Sequence, residues 1–599
     1  MSALRLLQPL NSIVAVYLVP SARVLKDFTD CRDNRFSSQD LEPPSELSVS
    51  LLHQACRSPL AIMSNPPPAV VSSEEGRLYY YGLPSRPILV ARTSSAVWVS
   101  PGDTRLYMGE RSISPVGPHP LLHLNWEDRI APEIHSLLGD KDVQWTSLDV
   151  VRIGYTHEAN TPVILWIGVL PNSISAQDGR AIVMQCLEIL HAHNIADVEV
   201  EMRESVVVPL AVGPAPKLPA LDSTSYALGA SVLLDPFTTS PNFPISAFKS
   251  SSHQGTGGFF VTDLDDPGRI LLVTARHAIF SPEEDDGTLY RHTEGSERPP
   301  CLVQLFADDA FERHKEFLQE MIQKYRGFID IQSSSIKRFD GRTDQAAIEA
   351  RRYCEHDVGN ARRMLSELDA ISKFVETFGE GDRVLGHVVL SPPIGYNIGP
   401  QGYTEDWAVI EMFPAKISAG NYRGNAIVLQ KAAFDNLIWP ARLSRQMHPY
   451  DATHPKCFDY SLIDNLLRLG GTITDGELRH PTSLDENREQ CRTVLKRGAA
   501  SALTVGRANS IFSYVRRVQG DGKTLSRASK EWAIVGGVGE IYEFATNGDS
   551  GAVVVDGRGR VGGLVTGGNR EQKGDITYAT PACFILERMH ALGLRVHVA

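Results

Sequence analysis

At 599 residues the chain is too long for one hydrophobic core, and length alone points to about three or four units of ~150–200 residues. Its 42% hydrophobic and 22% charged residues are ordinary for a globular protein, and no apolar run approaches the ~18–20 residues of a membrane-spanning helix. The formal charge of -12 argues against generic nucleic-acid binding, which needs concentrated Lys and Arg.

The cysteines (Cys31, Cys56, Cys186, Cys301, Cys354, Cys457, Cys491 and Cys583) are scattered, without a CxxC pair or zinc spacing. That density fits reduced thiols, and no Asn is followed two places on by Ser or Thr. Both observations favour a cytoplasmic protein over a secreted one. The acid-poor start, with Arg5, Arg23 and Lys26, leaves a mitochondrial presequence open.

In chain order, residues 1–75 read as an irregular N-terminal arm, rich in Pro and Ser after residue 26. Residues 76–212 read as an α+β domain of unassigned role. Its strands are expected at Pro87–Ala91, Ala96–Val99, Leu148–Tyr155, Pro162–Val169 and Val198–Val208, and its helices at Asn125–Leu138 and Ala176–His193. A split βαβ arrangement would suit this order. The Pro-rich stretch within 213–222 reads as a stiff linker, and a strand-dominated unit occupies 223–599. Its strands are expected at Ala227–Leu234, Gly257–Thr262, Ile270–Thr274, Arg383–Leu390 and Trp407–Met412. Helical spacing from Phe311 to Ile329 and from Ile348 to Phe378 predicts an αα-hairpin inserted at about 306–380, turning near Gly341. A second insertion is expected at about 434–489. Final strands follow at Ala502–Gly506, Ile511–Arg516, Ala533–Val535, Glu540–Phe544, Ala552–Val555 and Val561–Val565, before a helix at Ala582–Leu592.

Three segments carry chemistry. Gly548-Asp549-Ser550-Gly551 runs directly into the apolar Ala552–Val555. A Ser on a tight Gly-flanked turn is how a weak hydroxyl is presented as a nucleophile, with backbone N–H groups aimed at a developing oxyanion. Upstream lie Val273-Thr274-Ala275-Arg276-His277 and Asp406-Trp407-Ala408-Val409-Ile410. The order His, Asp, Ser is that of the chymotrypsin arrangement.

On these motifs, residues ~225–599 resemble the chymotrypsin-like (trypsin-like) serine peptidases. The segment Val561–Gly568 is similar to that family's cleft-lining strand, and Tyr578–Pro581 before a final helix also fits. The resemblance implies a C-terminal all-β double barrel with helical insertions, behind an N-terminal α+β domain. It implies a serine endopeptidase acting on polypeptides, with Ser550 as nucleophile, His277 as general base and Asp406 orienting the imidazole. The N–H groups of Gly548 and Ser550 would form the oxyanion hole, and Phe544, Thr566, Gly567, Gly568 and Ile576 would line the substrate pocket. No cofactor or metal is called for, and the N-terminal domain is a candidate site for a protein partner.

Several departures from the family pattern stand out. Thr546 occupies a place where secreted members carry a bracing Cys. No activation-cleavage motif precedes Ala227, so Asp549 needs a partner other than a freed N-terminus, or solvent. Phe544 and Ile576 argue for a pocket suited to small or modest apolar residues, or one closed at rest. Asp406 is preferred over the adjacent Glu405 because it borders the apolar strand, although a one-residue slip would exchange them. Gly536-Gly537-Val538-Gly539 lacks the Lys and following helix of a phosphate loop and reads as a turn. The alternative to an enzyme is a catalytically silent scaffold of the same fold, serving as a protein-interaction module.

Overall fold

The computed structural model describes residues 70–599 except 101–108, 157, 159–160, 211–232, 234, 238–239, 283, 294, 296–298, 417–423, 430–465, 484–489, 519–526, 537–542 and 570–573. The expected linker, nearly all of the strand at 227–234, most of the second insertion and nearly all of the N-terminal arm lie outside the described residues.

The chain first builds a small sheet with helices. After the Ser72-capped helix α1 (Ser73–Leu78) come β1 (Leu89–Arg92) and β2 (Arg111–Ser114). Helix α2 (Pro120–Asn125) runs through a π-turn at Trp126–Ile130 into α3 (Ala131–Asp140), where Leu122, Trp126, Ile130, Ile134 and Leu138 bury one stripe. Then follow β3 (Trp145–Tyr155), β4 (Val163–Val169), α4 (Ala176–Ala192), β5 (Val198–Glu204) and β6 (Val207–Pro209). The β3–β4 hairpin is antiparallel, whereas β4 and β5 lie parallel and adjacent, joined through α4. This βαβ unit is therefore not split, because no strand is threaded between its two members. Ala96–Val99 is not a strand: among the described residues no neighbour pairs with it, and Val97 and Val99 are exposed.

The expected closing strand at Val198–Val208 is also broken. Ser205 donates its N–H to Val169 O, and the chain leaves the first sheet there. β6 instead pairs with a strand more than 350 residues later in the sequence.

The next unit is a curled half-barrel. It contains β7 (Pro244–Ala247), β8 (Gly255–Thr256), β9 (Phe259–Asp263), β10 (Ile270–Thr274), β11 (Tyr290–Arg291), β12 (Leu302–Leu305), β13 (Val384–Ser391), β16 (Ala408–Met412) and β26 (Val596–Val598). Its strand order is β26-β9-β10-β16-β13-β12-β7-β8, with β11 beside β13. The helical hairpin α5 (Asp308–Arg338) and α6 (Gln345–Val375) is inserted between β12 and β13 and turns at Gly341. Phe311, Leu318 and Ile322 of α5 and Leu368, Ile371 and Val375 of α6 pack into the same cluster as Phe260, Val388 and Ile410 of the sheet. The hairpin is thus seated on the half-barrel by its apolar stripe.

The last unit closes on itself. β19 (Arg492–Gly498), β20 (Ala502–Ala508), β22 (Ser529–Gly536), β25 (Ile576–Pro581), β24 (Val561–Asn569) and β23 (Val553–Asp556) pair in that order, and β23 returns to β19. Every pairing is antiparallel, giving a six-stranded barrel with no free edge among these strands. Between the units, β14 (Gly395–Ile398) pairs with β15 (Tyr403–Glu405), which lies beside β22, and β17 (Ala426–Val428) pairs with β18 (Leu466–Arg468). Helix α8 (Ala582–Ala591), numbered after the short α7 (Asp475–Arg479), packs outside.

The first sheet is continuous with the barrel. β21 (Ser513–Val515) bridges them, pairing Tyr514 with Leu148 on one side and Ser513 with Glu531 on the other. Buried polar contacts bind this seam: Asn509 donates to Val150 O at 2.6 Å, and Trp126 Nε1 to Phe512 O at 2.8 Å. Arg203, with no solvent exposure, lies 3.2 Å from Asp149, which in turn accepts the Tyr578 hydroxyl at 3.0 Å. Residues 70–599 accordingly form one compact unit.

Candidate functional site

Three ends of strands meet between the half-barrel and the barrel. β10 is a fully hydrogen-bonded strand between β9 and β16, and it stops in the short turn Arg276–Ala278 that carries His277. Arg276 fixes this turn. Its guanidinium pairs with Asp285 (2.6 and 2.9 Å) and donates to Ser391 O and Pro392 O (both 2.9 Å). Ser391 Oγ in turn donates to Trp407 O at 2.8 Å, which ties the His turn to the residue after Asp406.

Asp406 sits in the gap between β15 and β16. Its Oδ2 lies 2.5 Å from His277 Nδ1, and its Oδ1 accepts the His277 backbone N–H at 3.1 Å. Two contacts from one residue fix both the position and the tautomer of the imidazole, leaving Nδ1 as donor and Nε2 as acceptor. On the far side, His277 Nε2 is 2.6 Å from Ser550 Oγ. All three side chains are buried. Burial acts to raise the Asp406 carboxyl, yet the His277 ring and N–H, with Arg517 farther off, hold it below the ordinary carboxylate range. Of the two adjacent acids, Asp406 is the one at the imidazole. Glu405 turns to Arg588 of α8 at 2.7 Å, as alternation along a strand requires.

Ser550 lies on the turn that leads into β23. Gly548 there has φ +97°, a left-handed conformation that a Cβ would strain. Thr256 of β8 clamps the turn from the half-barrel: its N–H donates to Ser550 O (2.8 Å) and its hydroxyl to Gly548 O (2.7 Å). The sequence offered no signal for that role.

Asp549 has a partner inside the barrel, and it is neither solvent nor a chain terminus. Lys496 Nζ of β19 stands 3.0 Å from Asp549 Oδ2, both side chains wholly buried. The carboxylate also accepts from Ala500 N, Ser501 N, Ser501 Oγ and Thr546 N, at 2.6–3.1 Å. Burial pushes the Lys496 ammonium below its ordinary range, and the Asp549 charge opposes that shift. A second group unread in the sequence is Glu531, whose Oε1 accepts the Thr404 hydroxyl at 2.5 Å. Burial, opposed by Arg517 and reinforced by Asp406, pushes its carboxyl up to about 7.

The pocket residues divide. Phe544 packs in the barrel cluster, its ring against the space of Gly506 and its O accepting from Thr504 at 2.7 Å. Thr566 O accepts from Arg517 at 3.3 Å, while Gly567 and Gly568 pair with Pro209 and Val208 of β6. Ile576 packs in the cluster with Tyr79, Tyr80, Trp166 and Val535, whereas Phe544 belongs to the barrel cluster. Of the two expected oxyanion donors, the Gly548 N–H already donates to Leu210 O, at the end of β6. The Ser550 N–H has no hydrogen-bond partner among the described residues.

Among the described residues, no group of His, Cys, Asp and Glu is arranged to hold a metal ion, and no helix is long and apolar enough to cross a membrane. No protein-family model matches the chain, and no curated protein matches it in sequence.

Proposed function

We propose that this chain is a serine endopeptidase of the chymotrypsin-like type. One observation carries the reading: a buried imidazole with Asp406 at 2.5 Å on Nδ1 and Ser550 Oγ at 2.6 Å on Nε2. A closed barrel facing a curled half-barrel, with the three groups at their junction, supports it further.

In this reading Ser550 Oγ adds to a peptide carbonyl carbon while His277 Nε2 takes the hydroxyl proton. The carboxylate of Asp406 holds the tautomer and stabilises the imidazolium. N–H groups of Gly548 and Ser550 receive the oxyanion, an interaction whose loss typically slows an enzyme by about 10²–10³. The C–N bond breaks, the leaving amine takes the proton from His277, and water then releases the acyl group. These residues suffice without a cofactor. The scattered cysteines and the missing Asn-X-Ser/Thr acceptors of the sequence support work in a reducing compartment such as the cytoplasm.

One observation favours the other reading, a silent protein-binding scaffold: the Gly548 donor is already taken by Leu210 O. A fluorophosphonate probe separates the two when applied to the wild-type chain and to Leu210→Asp, which disrupts that contact. Labelling of Ser550, abolished by His277→Ala, is expected. Folded protein unlabelled at Ser550 in both forms, or labelling indifferent to His277→Ala, refutes the enzyme.

A further inference from the structure

We propose that the chain is its own substrate: Val207–Leu210 occupies the groove as the acyl side of a peptide, and the bond after Leu210 is the one Ser550 cleaves. The inference rests on the hydrolase reading above. Its basis is the short strand β6, which no pattern in the sequence separated from β5.

β6 runs antiparallel to β24, with Val207 opposite Asn569, Val208 opposite Gly568 and Pro209 opposite Gly567. Its direction carries the chain toward the nucleophile's turn, where Leu210 O accepts the Gly548 N–H. The Leu210 carbonyl is thus held by one of the two N–H groups expected to receive an oxyanion, two residues before Ser550. The Leu210 side chain is buried in the cluster that contains Phe544 and Ala545, and its δ-carbons lie 3.6–3.7 Å from where a Cβ on residue 568 would be. Gly567 makes the close approach feasible. A Cβ there would come 2.9 Å from Val208 O and 2.6 Å from the Arg517 guanidinium. Four consecutive residues thus fill the groove through main-chain pairing, a seated carbonyl and a buried apolar side chain, a β-addition mode of peptide recognition.

The chemistry balances with water as the one co-reactant. Ser550 Oγ bonds to the Leu210 carbonyl carbon, and its proton passes to His277 Nε2. The Leu210–Ala211 C–N bond breaks and the α-amine of Ala211 takes that proton. Water then adds to the ester, leaving a Leu210 carboxylate and restoring the serine hydroxyl. The N-terminal piece stays bound after the cut, because β3 remains paired with β21 and Arg507 Nη2 still donates to Ile113 O at 3.0 Å. The new carboxylate therefore remains at the site and blocks it as a product.

The test is intact-mass analysis of the full-length chain over time, with fluorophosphonate labelling in parallel, for wild type, Ser550→Ala, Leu210→Asp and the milder Leu210→Ala. Wild type is expected to yield fragments ending at Leu210 and beginning at Ala211 that co-elute on gel filtration, while Ser550→Ala stays whole. Cleavage of Leu210→Ala should slow at least about tenfold, since even one methylene in an apolar pocket changes rates by about 10–200-fold. Leu210→Asp should stay uncut and take the probe faster than wild type. A wild-type chain that remains whole, while Leu210→Asp labels on Ser550, overturns the self-cleavage and leaves the hydrolase reading intact. Cutting elsewhere, or cutting that persists in Ser550→Ala, also overturns it. No labelling in any folded form sinks the hydrolase reading itself.

Discussion

Replacing Lys496 by Met tests whether the barrel's interior charge holds the nucleophile's turn in place. Met keeps the length and apolar stem of the side chain, so packing is nearly conserved and the ammonium alone is lost. The pair is 3.0 Å apart with neither side chain exposed. At an effective dielectric of about 20 its attraction is about 5–6 kcal/mol. The Asp549 carboxylate keeps four other donors, from Ala500, Ser501 and Thr546, which hold the oxygens but do not neutralise the charge. The expected loss on breaking such a buried pair is therefore about 3–5 kcal/mol. Urea unfolding followed by tryptophan fluorescence and circular dichroism measures it. Lys496→Met combined with Asp549→Asn should recover most of the loss, since the amide oxygen still accepts the Ala500 and Ser501 N–H bonds and no charge is stranded. A single variant less than about 1 kcal/mol below wild type would refute the reasoning, and so would a double variant no better than the single one.

Glu531 predicts a pH-dependent stability. Its carboxyl titrates at about 7 when folded and near 4.5 when unfolded, so stability falls as pH rises between those values, by about 3 kcal/mol at 1.36 kcal/mol per tenfold change in proton affinity. Glu531→Gln should match wild type at pH 4 and exceed it by about that amount at pH 8; parallel curves at every pH would contradict the assignment. Asp406→Asn should leave the fold intact and slow phosphonate labelling of Ser550 by roughly 10⁴, because the amide favours the wrong imidazole tautomer. Thr256→Val removes the hydroxyl that donates to Gly548 O and accepts from Ala499 N, and should cost about 1–3 kcal/mol by leaving both buried groups unpaired. Thermal unfolding with and without the substitution reads that cost.

Local pattern was enough for much of the reading. Helical spacing gave the α5–α6 hairpin, although α5 runs on from the expected Ile329 to Arg338, and the apolar runs gave β10, β16, β23 and β24. It was insufficient for β19, where Arg492, Lys496 and Arg497 interrupt the apolar alternation. Those charges are tolerated because each has a partner distant in sequence: Asp556 at 3.3 Å, Asp549 at 3.0 Å and Val428 O at 3.0 Å. The break between β5 and β6 was equally invisible, since Val207 and Val208 continue the strand-like composition and only the pairing partner changes.

The sequence by itself determined which side chains are candidates for chemistry, because a Gly-flanked Ser, a strand-ending His and a strand-opening Asp are local features whose residue types follow from the turns they occupy. It also determined where the helices fall, because their periodicity is set by neighbours three and four residues away. Only the tertiary structure decided that Asp406 and not Glu405 faces the imidazole, that Lys496 answers Asp549, and that Leu210 rests at the nucleophile's turn. Each of these depends on contacts between residues about 50 to 340 positions apart. Such contacts are fixed by how sheets close and which edge remains to be paired, and no local pattern encodes that.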